Sequence, residues 1–382
     1  MTVPSTSAAA ATAPAAATAA PPAPVSTSPA TLLTGHTLPS GWTLVQQLSK
    51  SPGGSGSNFC VGYIAERNGQ KAFVKALDFV DALAAPDPVA ELTKLTSLAT
   101  FEREAMELCE ANKLSRLIRL ISHEYVNLDP TNNPMNRVYC LIMEIGAGDL
   151  RKQLSHLGVF SCSAVFSILA DVALGMSQLH RHGVSHQDVK PSNVISMTDM
   201  TVPKDSVFKV GDLGRVVRKD RSGPYDAMAW PGDGQYAPPE RWYGHVPSQW
   251  TDAREASDAY MLGSLVFFLF TATPLQAIVA NRLPPLMHPG TWAGGYNEPL
   301  ILVLRSLQLN IISDDLVPKV PASLKDSLVA IVKELIEPDP AKRGDKRARA
   351  QTGKPVGLER FVPRFRQLAT QAGILERVKA TP

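Results

Sequence analysis

Cysteine is scarce in this chain, and charge of one sign is nowhere concentrated. The four cysteines, Cys60, Cys109, Cys140 and Cys162, stand too far apart for a metal-ligand or redox pairing, so reduced thiols in a cytoplasmic protein are expected. Lys and Arg number 38 against 35 Asp and Glu, a formal charge of +3. No like-charged block is long enough to make a nucleic-acid or membrane surface, so neither partner is expected. The one short basic cluster, Arg215, Arg218, Lys219 and Arg221, reads as a solvated loop. No apolar run reaches the roughly 18 residues of a membrane helix, and the longest, Met261 to Phe270, reads as a buried core helix. Residues 1–39 lack almost all charge and large apolar side chains. Their Ala, Pro, Thr and Ser cannot bury enough surface to offset the entropy of ordering, which predicts a disordered tail, and no basic residues mark a secretory signal.

What is present is enough apolar material, 44% of the chain, for a large two-lobed domain. From Trp42 short strand-like runs alternate with turns: "WTLVQQL", "GSNFCVGYIAE", the turn at Asn68 and Gly69, then "KAFVKALD". A helix is expected over Phe101 to Asn112, followed by two more strand-like runs, "RLIRLISHEYV" and "RVYCLIMEI", and a loop at Gly146 to Gly148. Beyond it the pattern turns helical. Val165, Ile168, Leu169, Val172, Met176 and Leu179 recur at helical spacing and define one long amphipathic helix ending near His182 and Gly183. A strand-rich front and a helix-rich back make an α+β arrangement of two lobes, an antiparallel-sheet N-lobe over residues 40–146 and a mainly helical C-lobe over 147–376, with a cleft between them.

The stretch richest in chemistry is "HQDVKPSN", His186 to Asn193, with "GDLG" ending at Gly214 and its Asp212 nineteen residues beyond Asn193. Asp or Asn beside Pro is by itself an ordinary turn residue. The full set of positions resembles the catalytic loop and metal-binding motif of the eukaryotic-type serine/threonine protein kinase family, and this resemblance covers Trp42 to Arg343. It implies a two-lobed protein kinase-like fold and transfer of the γ-phosphate of ATP, with Mg2+, to serine or threonine hydroxyls of protein substrates. Asp188 would accept the proton of the acceptor hydroxyl, Asn193 and Asp212 would hold magnesium, and Lys190 would neutralise the transferred phosphoryl group.

Lys75 in "AFVK" stands where the family carries the lysine that contacts the α and β phosphates. Its expected partner is a Glu on the next helix, where Glu102, Glu104 and Glu107 compete. Glu104 is chosen because it shares a helical face with Phe101 and Leu108. In "GSGSNFCV" Gly54, Gly56 and Val61 match the glycine-rich nucleotide loop, but Phe59 replaces its third glycine, and Phe73 replaces the small residue expected beneath the base. Met143, Glu144 and Ile145 take the place of the linker that meets the nucleotide. "GDGQYAPPE" resembles the substrate-supporting segment, Asp258 the residue that caps the catalytic loop, and Arg343 the ion-pair partner of Glu240.

Two departures concern control. Gln187 replaces the arginine that usually precedes the catalytic Asp and binds an activation-segment phosphate, so a phosphate there would gain only ordinary hydrogen bonds. Asp233 replaces the usual threonine of the substrate shelf and either supplies a fixed negative charge or caps a turn. Chain inserted at 79–99 and 275–320 reads as an extra helix or flap and as a surface elaboration or binding loop. A pseudokinase or scaffold module and a small-molecule kinase are the alternatives. The first would typically lack one of the ionic groups, and the second would lack the pair Glu240 and Arg343.

Overall fold

The computed structural model describes residues 28–49, 60–128, 136–157, 160–198, 206–228, 231–353 and 356–380. Five antiparallel strands form the N-lobe sheet in the order β1-β2-β3-β5-β4: β1 (Thr43–Leu48), β2 (Cys60–Arg67), β3 (Gln70–Leu77), β4 (Leu120–Asn127) and β5 (Arg137–Glu144). Asn68 and Gly69, at φ +51° and +75°, make the two-residue turn between β2 and β3, whose left-handed positions suit Asn-Gly. Along β3 the side chains alternate. Ala72, Val74 and Ala76 face the back of the sheet, while Phe73 and Lys75 face the cleft.

The back face is covered by a segment expected to be disordered. The tail predicted to reach residue 39 is corrected from Ser28 onward, and residues 1–27 lie outside the described residues. Ser28 caps a 3-10 turn at Pro29–Thr31 and donates to Asp78 Oδ1 at 2.6 Å, and Tyr63 Oη donates to the Ala30 carbonyl at 2.7 Å. Ala30, Leu33 and Leu38 are buried with Trp42, Leu44, Val61 and Ile142 in one apolar cluster. Burying a leucine such as Leu33 contributes about 1.5–3 kcal/mol, enough to hold a short polar-rich segment whose few apolar residues meet a bare sheet face.

Helix α1 (Val80–Leu83) is a single turn, and α2 (Pro88–Ala111) crosses the front of the sheet. The expected helix at Phe101 thus starts earlier, at Pro88, where Asp87 accepts from Ala90 N at 3.0 Å and Pro occupies the first turn. The inserted chain before Phe101 is mostly this helix.

In the C-lobe, β6 (Gly148–Asp149) leads into α3 (Leu150–Leu157) and α4 (Cys162–Arg181). Short strands β7 (Val184–Ser185), β8 (Val194–Ser196), β9 (Phe208–Val210) and β10 (Val217–Arg218) frame the cleft floor. Then come α5 (Pro239–Trp242), α6 (Ala256–Thr271), α7 (Leu275–Arg282), α8 (Glu298–Ile311), α9 (Lys325–Leu335), α10 (Lys346–Thr352) and α11 (Phe361–Ala380). Ser161 caps α4, and the six residues of its predicted stripe are all buried. Among the described residues α4 is the one unbent helix long and apolar enough to cross a membrane, but it is two-thirds buried in the lobe, with α6 and α11 packed on it. Helix α6 is buried along most of its length and largely apolar, as its path through the core requires, with the buried carboxylate of Asp258 as the charged exception. One continuous apolar cluster joins the cleft face of the sheet, α2 and the C-lobe helices. The lobes are also pinned by Lys209 on β9, which donates to Glu144 at 2.5 Å.

Candidate active site

On the upper wall of the cleft, Lys75 Nζ donates to Glu102 Oε1 at 2.8 Å and Oε2 at 2.9 Å, and lies 3.4 Å from Asp212 Oδ1. Burial by itself would lower the Lys75 pKa, but the charges of Glu102 and Asp212 outweigh it and hold the ammonium well above the ordinary lysine value. Burial raises the Glu102 pKa against the opposing pull of Lys75. Asp212 ends below the usual carboxylate range, because Lys75, His186 and Lys190 together overcome its burial.

The partner of Lys75 is therefore Glu102 and not Glu104. Leu95, Ala99, Glu102, Met106 and Cys109 form the buried stripe of α2, at steps of four and three residues. Phe101, used to place Glu104, turns toward the activation segment instead. A Cβ at Gly223 would come within 2.5 Å of its ring, and the Arg221 guanidinium lies 5.3 Å from the ring centroid. Glu104 follows Phe101 to that side and pairs with Arg221. The alternation of Ala99, Met106 and Cys109 was the signal that could have selected Glu102.

The lower wall is organised around a buried carboxylate on α6. Asp258 accepts from Ser185 Oγ (2.7 Å), His186 N (2.8 Å) and Gln187 N (2.8 Å), and its Oδ2 lies 2.9 Å from His180 Nε2. These bonds hold Gln187 in the left-handed region at φ +63°. Asp188 follows, with Oδ1 accepting from Asp233 N at 2.8 Å and Oδ2 facing Asn193 Nδ2 and Lys190 Nζ, both at 3.1 Å. Burial raises the Asp188 pKa, and Lys190 opposes the shift. Asn193 Nδ2 also donates to the Asp188 carbonyl at 2.8 Å, which turns the amide oxygen to the other side. His186 Nε2 lies 3.0 Å from the Gly211 carbonyl and links this loop to Asp212, itself left-handed at φ +55°. The structure thus brings Lys75, Asp188, Lys190, Asn193 and Asp212 around one cleft.

Of the nucleotide residues, Gly54 and Gly56 lie outside the described residues, as does Phe59. Val61, expected to meet the nucleotide, instead pairs with Ala76 and packs into the apolar cluster on the back of the sheet, so the alternation of β2 turns Cys60 and Gly62 to the cleft side in its place. Met143 is buried in β5 opposite Phe73. The Glu144 carboxylate is turned away onto Lys209 and Arg119 N, and Ile145 lies in the connection between the lobes.

Below the activation segment, Arg343 makes a bidentate pair with Glu240, 2.8 Å at each end, and both side chains are fully buried. Its other donors reach the carbonyls of Glu337, Pro338 and Ala256, so the buried guanidinium is fully satisfied. Arg254, not singled out by any motif, donates to Gln187 Oε1 at 3.3 Å and to the Asp226 carbonyl at 2.9 Å. Among the described residues it has no carboxylate partner. The four residues of the basic cluster do not share one surface role: Arg215 faces the Tyr225 ring, Arg218 pairs with Asp220, Lys219 lies over Trp250 and Arg221 meets α2.

A two-lobed fold with a lysine–glutamate pair above the cleft and an Asp, Lys and Asn loop below it defines a protein kinase-like architecture. Residues 87–349 match the protein kinase domain, and the chain belongs to the protein kinase family. The match begins after β3, so Lys75 and the strands around it precede it. The chain is similar to the serine/threonine-protein kinase greatwall of Xenopus tropicalis, with 29% identity over 39% of this chain and 15% of that protein. It is also similar to the serine/threonine-protein kinase PTK2/STK2 of Saccharomyces cerevisiae, with 26% identity over 44% of this chain and 21% of that protein. A third relative is the serine/threonine-protein kinase PknB of Mycolicibacterium smegmatis, with 29% identity over 35% of this chain and 20% of that protein. The chain thus spans 15–21% of the length of these relatives.

Proposed function

We propose that this chain transfers the γ-phosphate of ATP to serine or threonine hydroxyls of proteins in the cytoplasm, with Asp188 as base. The observation that carries the reading is the convergence of five groups on one cleft: Lys75 paired with Glu102, Asp212 beside Lys75, and Asp188 between Lys190 and Asn193. ATP with magnesium supplies the phosphoryl group and the cation that balances its charge. The donors present suit a hard cation that keeps phosphate and water ligands, one accessible carboxylate on Asp212 and the amide oxygen of Asn193. Lys75 holds the phosphates and Glu102 keeps its ammonium aimed into the cleft. Asp188 orients the acceptor hydroxyl and takes its proton, and Lys190 offsets the charge that builds on the transferred group.

The activation segment is held by unmodified residues, through Arg254 on the Asp226 carbonyl and Arg221 on Glu104. Together with the neutral Gln187, this supports a kinase that does not require phosphorylation of that segment. Phosphatase treatment should leave the transfer rate within tenfold, and a larger loss would refute this part. Phe73 in the cleft is the one described feature that favours a pseudokinase. The test is to incubate the purified chain with labelled ATP, magnesium and a generic acceptor protein, then identify the labelled amino acid. Phosphoserine or phosphothreonine is expected; nucleotide binding without transfer would select the pseudokinase.

A further inference from the structure

The carboxylate of Asp233 is the one ionised group at the catalytic loop that phosphate transfer leaves unassigned. Its own backbone N–H holds Asp188 Oδ1, which fixes the residue on the acceptor side of the base. Its Oδ1 accepts from Gln235 N at 3.0 Å, closing a turn that an uncharged asparagine would close equally well. Its Oδ2 lies 3.4 Å from Lys190 Nζ, farther than Asp188 Oδ2 at 3.1 Å. Within this trio Lys190 sets one positive charge against two carboxylates, so one negative charge is left over among the three. That excess is presented outward, because the Asp233 side chain is 35% exposed while Asp188 and Lys190 are 6% and 8% exposed. On the kinase reading, the bond from its N–H to Asp188 puts Asp233 beside the space that the residues flanking an acceptor hydroxyl would occupy.

We propose that Asp233 is a specificity-determining residue that selects serine and threonine acceptors flanked by lysine or arginine and rejects acceptors flanked by glutamate or aspartate. This rests on the kinase reading and adds its substrate class. A fixed carboxylate within one screening length, about 8 Å at physiological salt, attracts cationic neighbours and repels anionic ones, and the repulsion supplies as much discrimination as the attraction.

The experiment compares kcat/KM for two serine peptides that differ only in lysine or glutamate flanking the acceptor, with wild type and Asp233→Asn. Asparagine keeps both the Gln235 cap and the backbone bond to Asp188, so only the charge is removed. The ratio of the two peptides within one variant is insensitive to a general loss of rate. Wild type should favour the lysine peptide by about tenfold or more, and this preference should shrink as salt is raised. Asp233→Asn should bring the two peptides within about threefold of each other. Equal transfer to both peptides by wild type, or an unchanged preference in Asp233→Asn, overturns the inference and leaves the kinase reading standing. Transfer to neither peptide, nor to any generic acceptor protein, overturns the kinase reading and the inference with it.

Discussion

On the acceptor side of the cleft, Asp188 sits in a loop whose backbone is tied to Asp258 through Ser185, His186 and Gln187. On the phosphate side, Glu102 reaches Lys75 from a helix whose position depends on the packing of Leu95, Ala99, Met106 and Cys109. The first arrangement is set by short hydrogen bonds within one buried network, where a displaced donor would be left unsatisfied at a cost of about 1–3 kcal/mol. The second is set by apolar contacts, which resist sliding of a helix less sharply. The acceptor half is thus built in place, and the phosphate half depends on where α2 rests against the activation segment.

Substitutions should separate these halves. The largest effect is expected for Asp188→Asn, which should lower transfer by roughly 10²–10⁴-fold while leaving ATP affinity nearly intact, because in the proposed reaction this carboxylate handles the acceptor and not the nucleotide. Parallel rate and binding measurements check it, and an equal loss of both would contradict the assignment. Next comes Gly232→Ala. A Cβ there would lie 2.0 Å from the Gln187 carbonyl oxygen and 3.0 Å from Asp188 Oδ1, so the substrate shelf must move off the catalytic loop. A loss of about tenfold or more in transfer is expected, again with nucleotide binding retained.

On the other wall, Glu102→Gln removes the charge that faces a buried lysine, and transfer should fall by about tenfold. Glu104→Gln removes only a partner of the half-exposed Arg221, so its effect should stay within about threefold. If the two variants behave alike, the register of α2 described here is wrong.

The smallest effect concerns pH. Burial lowers the His180 pKa, but the hydrogen bond and charge of Asp258, with further support from Glu255 and Glu359, raise it above the ordinary value. Its contribution to stability is then complete below the unfolded value, about 6.5, and is lost as pH rises through the higher folded one. Asp258 is held below the usual range and stays ionised throughout that window. The melting temperature of wild type should decline across it, and His180→Gln should flatten the slope.

The same contrast explains what could be read from the sequence. Asp188, Lys190 and Asn193 could be placed together because a hydrogen-bonded loop needs its residues at fixed short spacings, and these three do meet in the structure; Asp212 comes beside them through His186, which lies on the Gly211 carbonyl. Glu102 was missed because three glutamates lie within six residues and the choice among them depends on which partners Phe101 and Met106 meet in space. The segment from Ser28 to Pro39 was misread because its low-complexity composition hides Leu33 and Leu38, whose burial depends on a sheet face formed by later strands. Arg254 carried no motif, since its contacts with Gln187 and Asp226 join positions 67 and 28 residues away.

In the proposed reaction Asp212 and Asp188 serve opposite halves of one phosphotransfer site. The most direct test of this division is ATP affinity with and without magnesium, measured side by side in wild type, Asp188→Asn and Asp212→Ala. Magnesium should tighten ATP binding in wild type and in Asp188→Asn, and should have no such effect in Asp212→Ala. Magnesium-dependent tightening that survives in Asp212→Ala, or disappears equally from both variants, would show that the two aspartates do not divide the work in this way.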